Sequence, residues 1–242
     1  MATQQRAAVW ILGLSLLMGL GVGSSAWAEN FTAVLYAQGS RHDQPLFTQS
    51  QTEQHTGDTL TSVRRVYATP QGQEAAVEEV TFEGGRIQTF RLEQKQTQEE
   101  GRMEVSGGRL QFSYTAGGKT SSDSEIASPD LVVPPTVVPY LRARWDALLQ
   151  GQTIKVRLAV LERKETVGFQ FTKIGESTVG GKPVVVVQMK PSSFIISALV
   201  KPIRMTFDKE SRRLIDFSGR TVPMRQVDGK WEPLDVEIEY RY

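Results

Sequence analysis

Cysteine is absent, histidine occurs twice, and neither sign of charge prevails: 28 lysines and arginines face 27 aspartates and glutamates over 242 residues. Each shortage removes a class of chemistry. Without cysteine there is no disulfide scaffold, thiol nucleophile, zinc–thiolate site or iron–sulfur centre. Without a basic excess there is no electrostatic footprint for nucleic acid and no polybasic grip on anionic lipid. Long apolar runs are also missing, except for one at the N-terminus.

That run is read first, because it bears on what the rest of the chain is. Arg6 is the only charged residue before Glu29, and an apolar stretch from Ala7 to Gly21 leads to Ala26-Trp27-Ala28. A basic start, a short apolar segment and an A-x-A site predict a secretory signal peptide over residues 1–28, cleaved after Ala28. The stretch is interrupted by glycines and falls short of the ~20 apolar residues that a membrane span requires. With no cysteine at the cleavage site, a lipid-anchored form is excluded. The expectation is an exported, periplasmic protein whose residues 29–242 form one domain. A chain of this size buries roughly 70% of its unfolded surface, enough for a core without covalent staples.

Within those residues the dominant signal is period-two alternation. Val236, Ile238, Tyr240 and Tyr242 alternate with Glu237, Glu239 and Arg241. Ile154–Val160, Ile203–Phe207, Leu110–Tyr114 and Val167–Phe171 follow the same rule, and side chains two apart share one face of a strand. Further strands are expected at Phe31–Ala37, Pro45–Gln54, Thr59–Thr69 and Glu74–Glu83. Val184–Val187 reads as a strand covered on both faces. Gly84-Gly85, Gly107-Gly108, Gly117-Gly118, Gly180-Gly181 and Asp228-Gly229 are hairpin turn signals. The fold expected is mainly β: a single antiparallel, curled or half-open β-barrel of about ten strands, with a two-sheet sandwich as the competing architecture.

One segment departs from that pattern. After Pro134-Pro135, Thr136 is placed to cap a helix on which Val137, Leu141, Trp145, Leu148 and Leu149 share a face, with Gly151 ending it. It predicts one central amphipathic helix laid against the sheet. The polar stretch Thr120–Ser128 before it reads as a loop.

Chemistry-bearing motifs are few. Gly117-Gly118-Lys119-Thr120 has the tail of a phosphate-binding loop, but Ser113 stands where the first glycine belongs and the context is a β-turn. His42 and His55, with Asp43 or Glu53, contain the residue types of a two-histidine metal site, yet both stretches are rich in Gln and Thr and read as exposed. No G-x-S-x-G elbow is present. Paired acids such as Glu78-Glu79 and Glu99-Glu100 suit glycoside chemistry only across a cleft of defined width, and on alternating strands they read as the solvated face. No catalytic residue, metal site or cofactor is expected.

The segment from Lys190 to Pro202 carries Lys-Pro at both ends and a charge-free apolar stretch, Phe194–Val200, between them. It reads either as a buried plug of the core or as an apolar flap over a barrel mouth. The blocks Leu131–Phe171 and Met189–Arg220, including the Phe207-Asp208-Lys209 turn into Arg213–Phe217, resemble uncharacterised bacterial secreted proteins. More distantly they resemble the periplasmic lipoprotein carriers. The resemblance implies a curled antiparallel sheet, a helix across its opening and a cavity for a hydrophobic ligand.

The function expected is therefore non-catalytic binding of an apolar small molecule, a lipid or a lipoprotein between sheet and helix. Tyr140, Leu141, Trp145, Leu148, Phe194, Ile195, Ile196 and Leu199 are the candidate lining residues. The alternative is an envelope structural or assembly protein acting through a strand edge or apolar patch. Two others stay open: an outer-membrane β-barrel, because Val236–Tyr242 ends in an aromatic, and a hydrolase.

Overall fold

The computed structural model describes residues 30–193 and 201–242. The first half is a meander of β1 (Phe31–Ala37), β2 (Pro45–Thr56), β3 (Thr59–Ala68), β4 (Glu74–Glu83), β5 (Arg86–Gln94), β6 (Glu99–Ser106), β7 (Arg109–Ala116) and β8 (Lys119–Ile126). A two-residue strand, β9 (Leu131–Val132), leads through a 3-10 turn at Pro134–Thr136 into two short helices, α1 (Val137–Arg142) and α2 (Trp145–Leu149). The second meander comprises β10 (Ile154–Val160), β11 (Glu165–Val179), β12 (Lys182–Pro191), β13 (Ile203–Asp208), β14 (Leu214–Val227) and β15 (Lys230–Arg241).

All fifteen strands belong to one sheet, in the order β8-β7-β6-β5-β4-β3-β2-β1-β15-β14-β13-β12-β11-β10-β9. The antiparallel pairing of β1 with β15 joins the two meanders, and only β9, beside β10, runs parallel to its neighbour. This order dictates the shape. The two outermost strands, β8 and β9, are consecutive in the chain and separated only by residues 127–130, so the sheet has to roll until its edges meet. No ladder joins β8 to β9. Instead Glu125 of β8 accepts hydrogen bonds from the Thr166 amide of β11, at 3.1 Å, and from its hydroxyl. The result is a curled open sheet overlapping at a side-chain seam.

The expectation of about ten strands is corrected to fifteen among the described residues, since β5, β6, β8, β9 and β14 are further members of the sheet. Thr120–Ser128 is corrected from a loop, because Lys119–Ile126 pairs along its whole length with β7. The turn signals are found as hairpins. At Gly117-Gly118, between β7 and β8, φ is +55° and +73°, a mirror-image turn that an L-residue with a Cβ resists. That conformation accounts for the glycines with no phosphate to cradle.

The single helix is also corrected. Thr136 does meet the chain end, its hydroxyl bridging the amide and carbonyl of Val133 at 3.0 Å. Arg144, however, leaves helical geometry with φ −118° and ψ 23°, dividing α1 from α2. The break keeps Leu141, Trp145 and Leu148 on one buried side, with Trp145 edge-on to Phe207 at 5.5 Å between ring centres. Gly151 ends the segment at φ +80°, its amide bonded to the Leu148 carbonyl.

Three apolar clusters fill most of the inside. One packs α1 and α2 against β10–β14, a second lies among β3–β7 and takes Ala159 and Leu161, and a third lies under β1, β2 and β15. Beside the third, Arg65 and Glu78 are buried together at 3.5 Å; Arg65 also donates to Gln51, and Tyr67 donates to Glu78. Burial pushes the Glu78 carboxyl up, and the Arg65 guanidinium pulls it back. The outward faces of β3–β6 carry ion pairs instead: Arg64 with Glu74 and Glu79, Arg91 with Glu93 and Glu100, Arg102 with Glu104. Lipid-facing strands require the opposite polarity, an apolar outside, which speaks against the outer-membrane barrel. No helix among the described residues is long and apolar enough to cross a membrane.

Candidate functional site

Where the clusters stop, at one end of the roll, a cavity of about 730 Å³ remains. Its inner wall comes from β3 through Leu60 and Val63. The β4–β5 hairpin adds Phe82, Arg86 and Ile87, and β6 adds Val105. Leu131 and the segment before it close one side, and Pro135, Pro139 and Tyr140 close the other. Alternation sends Val63, Phe82 and Val105 inward, opposite the ion-paired residues, and bulges in β3 and β5 turn Leu60 and Ile87 to the same side. The volume falls within the ~300–1,000 Å³ of small-molecule sites.

A second cavity, of about 80 Å³, lies on the far side of the helical segment against Phe31, Arg65, Phe217, Tyr240 and Tyr242. Pro135 and Pro139 line both, so these two rings form part of the partition. The smaller space is roomy enough for water and little else.

The mouth of the larger cavity is organised by Tyr140. Its hydroxyl donates to Asp130 at 3.0 Å, and the Arg144 guanidinium carbon lies 3.6 Å over its ring. Burial and then the Asp130 hydrogen bond push the phenol up, so it stays protonated as a donor. The break between α1 and α2 makes this contact possible by letting Arg144 fold back, its Nη1 reaching the Tyr140 carbonyl at 3.4 Å. On the opposite rim Arg86 is exposed. Ala127 is anchored through its amide to the Gly108 carbonyl at 2.9 Å, which holds the rim against the β6–β7 turn.

Of the residues expected from sequence to line a site, Tyr140 does line this cavity. Leu141, Trp145 and Leu148 lie in the core cluster behind it, at 0%, 2% and 0% exposure, and line neither cavity. Phe194, Ile195, Ile196 and Leu199 lie outside the described residues. Sequence reasoning missed the whole strand wall, from Leu60 to Val105, because inward apolar residues look alike whether they pack or line a space. It gave Arg144 no role; the Tyr140–Arg144 spacing of four was the available signal.

The histidines do not come together. His42 Nδ1 lies 2.8 Å from Glu239 and Nε2 2.6 Å from Glu237, with its ring stacked on Tyr36. His55 sits 3.1 Å from Glu53 on β2. Among the described residues no group of three His, Asp or Glu side chains is arranged to hold a metal ion.

No protein-family model matches the chain. No curated protein matches it significantly. Among solved structures it is similar to a beta-barrel-like protein of a domain of unknown function, DUF1849, from Brucella abortus, at 8% identity and a TM-score of 0.44, over 88% of this chain and 94% of that one. It is also similar to a DUF1329 family protein from Desulfovibrio piger, at 9% identity and a TM-score of 0.22, over 88% of this chain and 82% of the other. At these scores neither likeness carries an argument about what the chain does.

Proposed function

We propose that this protein is an exported, non-catalytic module that holds one apolar ligand, a lipid or acyl chain, in the cavity between the β3–β6 wall and the helical segment. The observation that supports it is the cavity itself: about 730 Å³ of largely apolar space beside three buried apolar clusters. Each methylene taken from water into such a site contributes ~0.8 kcal/mol, so a chain of moderate length binds without a charged partner. Among the described residues, the walls offer no carboxylate or histidine to act as a base on a bound molecule. Export rests on the N-terminal signal, and cleavage predicts a secreted form beginning at Glu29, which N-terminal sequencing of the envelope fraction reads.

The test is native mass spectrometry with lipid extraction on protein purified from its own envelope, followed by titration with a fluorescent fatty acid. Ala143 is exposed on the rim, so Ala143→Trp places a large ring at the mouth without disturbing the core. The expected result is stoichiometric uptake by the native chain and at least a tenfold loss in Ala143→Trp, at an unchanged melting temperature. A clean apo mass with no fatty-acid uptake would sink the proposal.

A second reading has one observation behind it. β8 is an edge strand exposed at nearly every position, and it ends on Ile126 at 76% exposure, as an assembly protein recruiting a strand would require. Its polar sequence, KTSSDSEI, weighs against that use.

A further inference from the structure

The larger cavity has a charge pattern that its apolar volume does not account for. Of the described residues that line it, Arg86 and Arg144 are the only charged ones, and no aspartate or glutamate is among them. This occurs in a chain where acids and bases are nearly equal in number. Arg144 contacts the ring and carbonyl of Tyr140, which are neutral and leave its charge uncompensated. Among the described residues, Arg86 and Arg144 have no carboxylate within 4.0 Å. Asp130, the acid next to the mouth, is taken by the Tyr140 hydroxyl.

We infer that the ligand is an anionic amphiphile: an apolar chain lying along Leu60, Val63, Phe82 and Ile87, with a carboxylate or phosphate headgroup held between Arg86 and Arg144. The inference rests on the proposed binding function and names its ligand class. The guanidinium fork suits either headgroup, because it presents paired N–H donors to two oxygens. Stacking on Tyr140 holds the Arg144 guanidinium in place at the mouth, so less of its freedom is lost when an anion arrives. Ser128 adds a hydroxyl to the same lining; it accepts from the Asp130 amide at 3.3 Å and keeps its proton to donate.

The experiment compares palmitate, hexadecanol, lysophosphatidic acid and inorganic phosphate on the delipidated native protein by calorimetry. Palmitate and lysophosphatidic acid are expected to bind at least tenfold tighter than hexadecanol, with the gap falling as salt is raised. Arg86→Gln alters an exposed side chain and leaves the fold intact, and Arg144→Gln removes the second fork. In the double variant the gap closes, with palmitate and lysophosphatidic acid falling to the affinity of hexadecanol. Whichever of palmitate and lysophosphatidic acid binds tighter identifies the headgroup. Equal affinity for palmitate and hexadecanol in the native protein overturns the headgroup inference and leaves the apolar site standing. If none of the chains binds, both readings fall. If inorganic phosphate alone displaces palmitate at low millimolar concentration, the arginines form a free-anion site, and the amphiphile is overturned.

Discussion

His42 shows how one side chain acquires a role that its neighbours in sequence do not reveal. It comes from the turn after β1 and drops between Glu237 and Glu239 on β15, nearly two hundred residues away, while Tyr36 stacks on its ring at 4.5 Å. Its hydrogen bonds to Glu239 and then Glu237 hold its pKa above the ordinary histidine value. Asp216, whose carboxyl is pushed up mainly by burial and then by Glu237, adds a further acid to the group. The folded state thus binds the His42 proton more tightly than the unfolded chain does. Its contribution to stability is complete below about pH 6.5, the unfolded value, and is lost as pH rises through the higher folded value. Solvent screening keeps the size of the effect small. The melting temperature of the native protein is expected to exceed that of His42→Gln at pH 6 and to converge with it by pH 9. A nuclear magnetic resonance titration midpoint for His42 at or below 6.5 would contradict this account. In the sequence His42 reads only as an exposed histidine in a polar stretch. The partners that define it lie two apart on a strand, where their shared face was legible but the visitor to that face was not.

Among the elements, strands that bury regular apolar residues announce themselves, and those that bury something else do not. β15 and β7 follow period two and were readable. β6 was hidden because its inward face carries Gly101, where Leu161 from the turn after β10 fills the space: a Cβ at 101 would stand 2.7 Å from the Leu161 Cβ and 3.0 Å from Tyr114. β5 was hidden because the inward series Phe90, Leu92, Gln94 ends on a buried glutamine, whose amide donates to the Val222 carbonyl at 2.9 Å. β8 buries nothing and so has no period to show. The glycine makes the sharpest test. Gly101→Ala is expected to destabilise the fold by about 1–3 kcal/mol through overpacking, read as a lowered urea midpoint with an unchanged slope. Leu161→Ala alone leaves a cavity and costs ~2–5 kcal/mol. Because the new methyl occupies part of that cavity, the double variant is expected to lose less than the sum of the two. Strict additivity would mean that Leu161 does not occupy the space the glycine leaves.

At the scale of the whole molecule, the order of the strands requires a rolled sheet, but order alone does not say what holds the roll shut. That information was not in the sequence pattern, since it resides in a few side chains across the seam. Glu125 accepts from both the amide and the hydroxyl of Thr166, and the same hydroxyl accepts from Arg157 Nε at 2.8 Å. Thr166 is buried, at 3% exposure, so its amide has no water to turn to if Glu125 is removed. Losing that acceptor costs about 1–3 kcal/mol, and the cost falls at the seam, because β8 is otherwise held only by β7. Glu125→Ala is therefore expected to speed hydrogen exchange at Thr166 and across residues 119–126, while β1 and β15, each paired on both sides, keep their protection. Glu125→Gln retains an acceptor oxygen and should preserve most of the native pattern. The seam also continues into the binding cavity, for Ala127 and Ser128 follow β8 and form part of its wall. A loosened β8 should weaken fatty-acid binding in Glu125→Ala and not in Glu125→Gln, although neither substitution touches the ligand. Faster exchange spread evenly over all strands would instead mean that Glu125 supports the sheet as a whole, and the seam would lose its claim to set the shape of the cavity.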